Sequence, residues 1–143
     1  MIRQCIQEGN LKEAQALLGR DLSIYKKIET GRGVGRKIGI PTLNFRVQGL
    51  CLPPYGVYVV MVEQGTTKTK GVANLGLAPT VRTLDEPILE VHLLEDSTGL
   101  DFDQPMETHF KCFIRNECKF ESLDALRQQI LLDISFAQKY FFN

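Results

Sequence analysis

Apolar positions along the chain change period twice. In the first twenty residues they fall at helical spacing: Ile2 and Ile6, then Ala14, Leu17 and Leu18. Gly9 predicts the end of a first helix, and Asn10 with Glu13 three residues later predicts a capped second one that Gly19 terminates. From residue 22 to 120 the texture is that of strands and turns. Residues 57–62, Val-Tyr-Val-Val-Met-Val, are β-branched and aromatic, Gln64-Gly65-Thr66 reads as a turn, and 69–75 reads as the hairpin partner. In 88–94, Leu89, Val91 and Leu93 share one face, with Glu90 and His92 on the other. Phe110, Cys112 and Ile114 alternate with Lys111, Phe113 and Arg115 in a further strand. Helical period returns at the end, where Leu123, Leu126, Ile130, Ile134, Ala137 and Phe141 predict a helix with one face buried on the sheet. Ser122 is its expected N-cap, and Asp124 complements the dipole. Strands that recur without intervening helices predict an antiparallel barrel or sandwich, not a parallel α/β sheet.

Composition narrows this pattern without redirecting it. A chain of 143 residues is one domain in size and large enough for a core without staples. Its 17 Lys+Arg balance 17 Asp+Glu, which argues against a nucleic-acid coat but leaves room for a local anion site. The opening helix pair has too few basic residues to read a DNA groove. Cys5, Cys51, Cys112 and Cys118 form no C-x-x-C pair and no ligand spacing with His92 or His109, so reduced thiols in the cytoplasm are expected. Arg3, Gln4, Gln7 and Glu8 stand where a secretory signal would be apolar, and no stretch approaches the ~20 residues of a membrane span.

Candidate chemistry concentrates in Gly31-Arg32-Gly33-Val34-Gly35-Arg36-Lys37-Ile38-Gly39-Ile40-Pro41-Thr42-Leu43-Asn44. Glycines free backbone N–H groups to turn toward an anion, and Arg32, Arg36 and Lys37 add positive charge. The segment lacks a P-loop pattern, and Pro41 opposes the helix that a dinucleotide fingerprint must open. Thr42 and Asn44, two apart in an extended segment, place hard oxygen ligands suited to Mg²⁺ on one side, unless they only bond to local backbone. Glu90 interrupts an apolar strand and lies either on a solvated face or in a site, where partial burial would raise its pKa toward general-base use. His92, on the same face, reads as a strand-surface histidine rather than a metal ligand.

With these residues in place the chain resembles the riboflavin kinase family, and in particular the kinase module of bacterial bifunctional riboflavin kinase/FAD synthetases. Residues 35–44 are similar to that family's G-R-x-x-G-[FI]-P-T-x-N signature. Pro54-Tyr55-Gly56-Val57-Tyr58, Ala73-Asn74-Leu75-Gly76 with Pro79-Thr80, Glu90-Val91-His92-Leu93-Leu94 and Ile114-Arg115-Asn116-Glu117-Cys118-Lys119-Phe120 follow in the family's order. The resemblance implies a mainly β fold: a six-stranded antiparallel Greek-key barrel with a C-terminal helix, over residues 21–143, after a helical connector over 1–20. It implies transfer of the ATP γ-phosphate to the ribityl 5′-hydroxyl of riboflavin, giving FMN and ADP. Thr42 and Asn44 would hold the Mg²⁺ (or Mn²⁺ or Zn²⁺) of the nucleotide. Gly33, Gly35, Arg36, Lys37, Gly39 and Pro41 would line the nucleotide loop, and Glu90 would be the catalytic base. Arg115, Glu117 and Phe120 would lie near the flavin, with residues 96–104 as a flap. In that segment Leu100-Asp101-Phe102 stands where the family has Leu-Tyr-Gly, which motivates an alternative: a flavin- or nucleotide-binding regulatory barrel with little catalysis. The FMN adenylyltransferase domain of bifunctional enzymes, which would precede the connector, has no counterpart in these residues. No nucleic-acid or membrane partner is expected.

Overall fold

The structure is a computed structural model and describes residues 2–29, 42–78, 86–95 and 99–142. Two short helices, α1 (Ile2–Gln7) and α2 (Leu11–Leu18), precede six strands. The strands are β1 (Ser23–Lys26), β2 (Thr42–Arg46), β3 (Gly56–Gln64), β4 (Thr67–Ala78), β5 (Glu86–Leu93) and β6 (Met106–Arg115), and a final helix, α3, covers Leu123–Phe142. The caps expected from sequence are present. Asn10 Oδ1 accepts from the Glu13 N–H at 3.1 Å, Gly19 is left-handed, and Ser122 Oγ accepts from the Ala125 N–H at 3.1 Å.

All six strands form one antiparallel sheet in the order β1-β6-β3-β4-β5-β2. Strands β3, β4 and β5 follow one another as a meander, and β6 returns to lie beside β3. That spatial order, β6-β3-β4-β5, is a Greek key. The sheet curls until its edge strands approach each other, and the Glu29 N–H donates to the Asn44 carbonyl at 2.7 Å across the gap. The result is a strongly curled half-barrel with the C-terminal helix against it.

Its interior is filled by Leu43, Phe45, Tyr58, Val60, Val62, Leu75, Leu89, Val91, Leu93, Met106 and Phe110. Cys5, Ile6 and Ala14 belong to the same apolar cluster, so α1 and α2 dock on the barrel. A second, smaller cluster on the outer face joins Val57, Val59 and Val72 to Ala137, Ile134 and Phe141 of α3. Strand β3 is therefore buried on both faces, which is why residues 57–62 read as an unbroken apolar run. The helix stripe is buried as expected at Ile130 and Ala137, but Leu123 at its start is 57% exposed, beyond the sheet's reach.

The alternation predicted for β6 does not hold. Phe110 faces the interior, whereas Cys112 and Ile114 pack on the outer cluster. The register against β3 shifts between Val59 and Val60 and again between Val57 and Tyr58. Each bulge inserts one unpaired residue, so the side-chain phase is reset. The segment expected to form a flap is also placed differently. Gln64, at the tip of the β3–β4 hairpin, accepts from the Asp101 N–H at 2.6 Å and donates to the Asp101 carbonyl at 2.8 Å. Leu100 packs on the barrel interior. Residues 99–104 thus belong to the hairpin end, because two hydrogen bonds and an apolar contact hold them there.

Phe110, 2% exposed, makes an edge-on ring contact with Tyr58 at 5.1 Å. Phe110→Ala is expected to lower unfolding free energy by about 3–5 kcal/mol. Leu132→Ala, at a position 64% exposed, should change it by less than about 0.5 kcal/mol. Urea unfolding of both variants checks the contrast.

Candidate functional site

Antiparallel register aligns one row of side chains across five strands. Asn44 of β2 lies opposite Glu90 of β5, Glu90 opposite Asn74 of β4, Asn74 opposite Val57 of β3, and Val57 opposite Arg115 of β6. Directly opposed residues point to the same face. The neighbours Leu43, Leu75, Leu89 and Tyr58 point into the barrel, so this row lies on the outside. There it meets α3. A cleft opens between sheet and helix, with Val57, Val72, Phe120, Leu126 and Ile130 as apolar walls. Asn74, Glu90, His92, Arg115, Cys118 and Asp133 are its polar lining.

Glu90 is not on a fully solvated face. Its side chain is 26% exposed and faces the cleft, with Oε1 3.3 Å from His92 Nε2. His92 is not a surface residue: it is 3% exposed, because the outer face of β5 is covered at this point. Burial disfavours its charged form and brings its pKa down to about 4, although the Asp133 carboxylate pulls in the opposite direction. The ring is therefore neutral at pH 7. Its Nδ1 is 3.2 Å from Thr42 Oγ1. The direction of the Thr42–His92 hydrogen bond follows the tautomer of the neutral ring.

Asn44 is 5% exposed, and its Oδ1 is buried without a hydrogen-bond partner. A buried amide oxygen in that state costs about 1–3 kcal/mol unless something else satisfies it. Two hard oxygens at one end of the row suit a Mg²⁺ ion, which takes few protein ligands beside substrate phosphates. These residues fit the cation expected from sequence.

At the other end, Arg115 donates from Nε to Asp133 Oδ1 at 3.0 Å and from Nη2 to Oδ2 at 2.8 Å. Hydrogen bonding to Asp133 raises the guanidinium pKa further. Gln129 adds a bond to Asp133 Oδ1 at 3.1 Å. The Arg115 guanidinium also lies 5.8 Å from the centre of the Phe120 ring. Glu117 does not line the cleft beside them. Its carboxylate lies over the β4 backbone at Gly76, where an added Cβ would come within 1.8 Å of Oε1. Only glycine allows that approach.

The described residues therefore bring together Thr42, Asn44 and Glu90, and separately Arg115 and Phe120 with Glu117 nearby. Gly33, Gly35, Arg36, Lys37, Gly39 and Pro41 lie outside the described residues. Asn74, His92 and Asp133 were not assigned roles from sequence. Asn74 carried a signal, a polar residue in the apolar run Val72-Ala73-Asn74-Leu75. Asp133 carried another, falling three residues after Ile130 on the buried helix face.

A family model described as riboflavin kinase (flavokinase) matches residues 18–141. The chain belongs to the riboflavin kinase family. It is 38% identical over 141 residues to the bifunctional riboflavin kinase/FMN adenylyltransferase of Haemophilus influenzae, covering 98% of this chain and 45% of that one. The Escherichia coli protein of the same description is also 38% identical over 141 residues, with 98% and 44% covered. The chain thus spans under half the length of these curated relatives. A solved structure described as a macrolide-efflux protein from Streptococcus pneumoniae superposes with a TM-score of 0.82 at 33% identity. That match covers 96% of this chain and 45% of that one, and it carries the same fold. Among the described residues no helix is long and apolar enough to cross a membrane.

The depressed pKa of His92 has a consequence for stability. Between about pH 6.5 and 4 the unfolded chain binds the proton and the folded chain does not. The stabilisation is complete above the unfolded pKa and is lost as pH falls toward about 4, amounting to roughly 3 kcal/mol across that window. Thermal unfolding of His92→Gln in metal-free buffer should show a shallower fall in Tm between pH 7 and about 4 than the unsubstituted chain.

Proposed function

We propose that this chain is an ATP:riboflavin 5′-phosphotransferase, a riboflavin kinase that forms FMN and ADP. The observation that carries the reading is the placement of Glu90 between Asn44 and Asn74 in one cross-strand row, at the mouth of an apolar cleft. Phosphoryl transfer asks a protein for positioning, charge neutralisation and an oriented nucleophile, and little else. The row supplies these in sequence along the sheet.

Glu90 accepts the proton of the ribityl hydroxyl as that oxygen bonds to the γ-phosphorus. The bond from the γ-phosphorus to the bridging oxygen breaks, and ADP leaves with the electron pair. His92, buried and neutral, lies beside the Glu90 carboxylate with Nε2 3.3 Å from Oε1. Mg²⁺, when bound, neutralises phosphate charge; Thr42 and Asn44 are the residues that would hold it, and an all-oxygen pair favours it over softer Zn²⁺. Mn²⁺ shares the oxygen preference. The Gly-rich loop, with Arg36 and Lys37, is bounded by Glu29 and Thr42, both tied beside Asn44 and Glu90. Nucleotide phosphates at that loop would meet the row at its Thr42–Asn44 end.

The flavin belongs at the other end. Val57, Val72, Phe120, Leu126 and Ile130 offer a slot for a flat apolar ring system. Because Asp133 already neutralises Arg115, the guanidinium serves the flavin as a planar surface beside Phe120 and not as an anion receptor. Glu117, seated on Gly76, closes the edge of that end. The regulatory alternative rested on Leu100-Asp101-Phe102. Residue 101 is held at Gln64, seven positions along β3 from Val57, or roughly 20 Å from the cleft. The departure leaves the cleft untouched, and catalysis is the better reading. Residues 1–20 act as connector and 21–143 as the catalytic unit, in the cytoplasmic setting that the cysteine pattern suggests.

Incubation with riboflavin and Mg·ATP, followed by chromatography, should yield FMN. Retained flavin with no FMN would replace this reading with the regulatory one. Glu90→Gln should keep the fold and lower turnover by roughly 10²–10⁴; near-normal turnover removes Glu90 from the base role. Thr42→Ala should weaken Mg·ATP binding more than riboflavin binding, and unchanged Mg·ATP affinity by calorimetry would refute the cation assignment.

A further inference from the structure

A second group of titratable side chains lies on the outer face of the same sheet, far from the cleft. Glu63 of β3 is directly opposite Glu107 of β6, and His109 pairs with Met61 two positions along. Alternation places all three side chains on one face. Like charges in directly opposed positions destabilise a strand pair, and Arg20 beside Glu107 and Lys68 beside Glu63 offset part of that repulsion. Glu63 is six residues from Val57 on β3, which sets the group roughly 20 Å from the cleft.

We propose that Glu63, Glu107 and His109 form a second cation site, taking a first-row divalent metal ion of the Zn²⁺ class. His109 Nε2 is 3.0 Å from Glu63 Oε1 and 3.5 Å from Glu107 Oε1. All three ligand atoms lie within 4.8 Å of one another. Tetrahedral Zn²⁺ with bonds of about 2.0–2.1 Å separates its ligand atoms by roughly 3.3–3.4 Å. The two nitrogen–oxygen spacings bracket that value.

The other oxygen of each carboxylate supplies an independent observation. Glu107 Oε2 accepts from Ser23 Oγ at 2.7 Å and lies 3.6 Å from Arg20, whereas Glu63 Oε2 lies 3.7 Å from Lys68. Each carboxylate is thus gripped through its outer oxygen, with its inner oxygen turned to His109 Nε2. Outer partners that orient ligands in this way are the usual support of a metal site. A single Nε2–H can serve one of the two carboxylates well, and a dication serves both. Two carboxylates and a neutral imidazole balance its charge.

The ligand type separates this site from the nucleotide cation. Imidazole nitrogen with two carboxylates suits Zn²⁺ and its first-row neighbours, whereas Thr42 and Asn44 offer only neutral oxygens. The three side chains are 18–31% exposed, so solvent can fill the remaining coordination position. A bound ion would clamp β3 to β6 at the end of the barrel opposite the cleft.

The test is calorimetric titration of Zn²⁺ into the chain with millimolar Mg²⁺ present, so that the nucleotide site is not read. One equivalent should bind, Tm should rise, and His109→Gln and Glu63→Gln should each weaken binding at least ~10-fold. Ser23→Ala, which leaves the ligands intact, should weaken it by roughly 10–100-fold, the usual effect of losing an outer partner, and it carries the test if a ligand variant misfolds by circular dichroism. Co²⁺ in place of Zn²⁺ should show d–d bands without thiolate charge transfer. No binding at micromolar Zn²⁺, undiminished affinity in the variants, or a thiolate band that assigns the ion to cysteine would each overturn the site.

Discussion

Asp133 is the buried charge on which the helix and the cleft both depend. Its side chain is 4% exposed, and a carboxylate so far from water costs several kcal/mol unless it is paired and hydrogen-bonded. Arg115 meets it with two parallel N–H bonds, and Gln129 occupies a further lone pair. The pair joins the middle of α3 to the last residue of β6, so the helix cannot slide along the sheet without uncovering a charge. Removing one partner of such a pair strands the other at a cost of roughly 3–5 kcal/mol. The apolar contact alone would tolerate sliding, because Val57, Val59 and Val72 are interchangeable surface to Ile134 and Ala137. The ion pair provides the direction and the register that apolar packing lacks, and it thereby fixes the width of the cleft.

That cleft lies outside the barrel because the inside is full. Phe45, Tyr58, Phe110 and Met106 occupy the interior, with Tyr58 donating its hydroxyl to the Pro54 carbonyl at 2.6 Å. A six-stranded sheet curled this tightly leaves no room for a ligand among its inward side chains. Polar residues of the inner phase would be costly there, and the residues of chemical interest accordingly take the opposite phase of β2, β4 and β5. The outer phase would ordinarily face water, where His92 would keep its usual pKa and Glu90 would be one of many solvated carboxylates. Covering that face with α3 on one side turns a solvated strand surface into the wall of a cleft.

Where strands and helices run was readable from period alone, and so was the hairpin of β3 with β4. The phase of β5, with Leu89, Val91 and Leu93 inward, was readable because no bulge interrupts it. In β6 one bulge resets the phase between Phe110 and Cys112 and a second follows between Phe113 and Arg115, and strict alternation therefore misassigned a face. The family motifs carried Glu90, Thr42 and Asn44 as separate marks, but their neighbourhood is a property of register. Asn44 and Glu90 are forty-six positions apart, and only the pairing of β2 with β5 makes them adjacent. His92 was misjudged for the same reason: whether an outward strand residue is wet depends on what covers it, and α3 lies thirty residues downstream. Glu63, Glu107 and His109 were invisible too, because their convergence requires β3 and β6 to be neighbours in a Greek key.

Asn44 joins the closure of the barrel to its chemistry. Its backbone carbonyl accepts from Glu29 and draws the two free edges of the sheet together, while its side-chain oxygen is held toward Glu90 without a partner of its own. Edge strands elsewhere are liabilities that must be blunted. Here the edge is the place where a backbone group is still available to anchor the chain on both sides of the Gly-rich segment, at Glu29 and at Thr42. A site built in the centre of the sheet would have all its backbone groups committed to neighbouring strands and no loop entering it. The incomplete seam places an oxygen pair and a carboxylate within one strand spacing of each other, beside the two anchored ends, Glu29 and Thr42, of the Gly-rich segment.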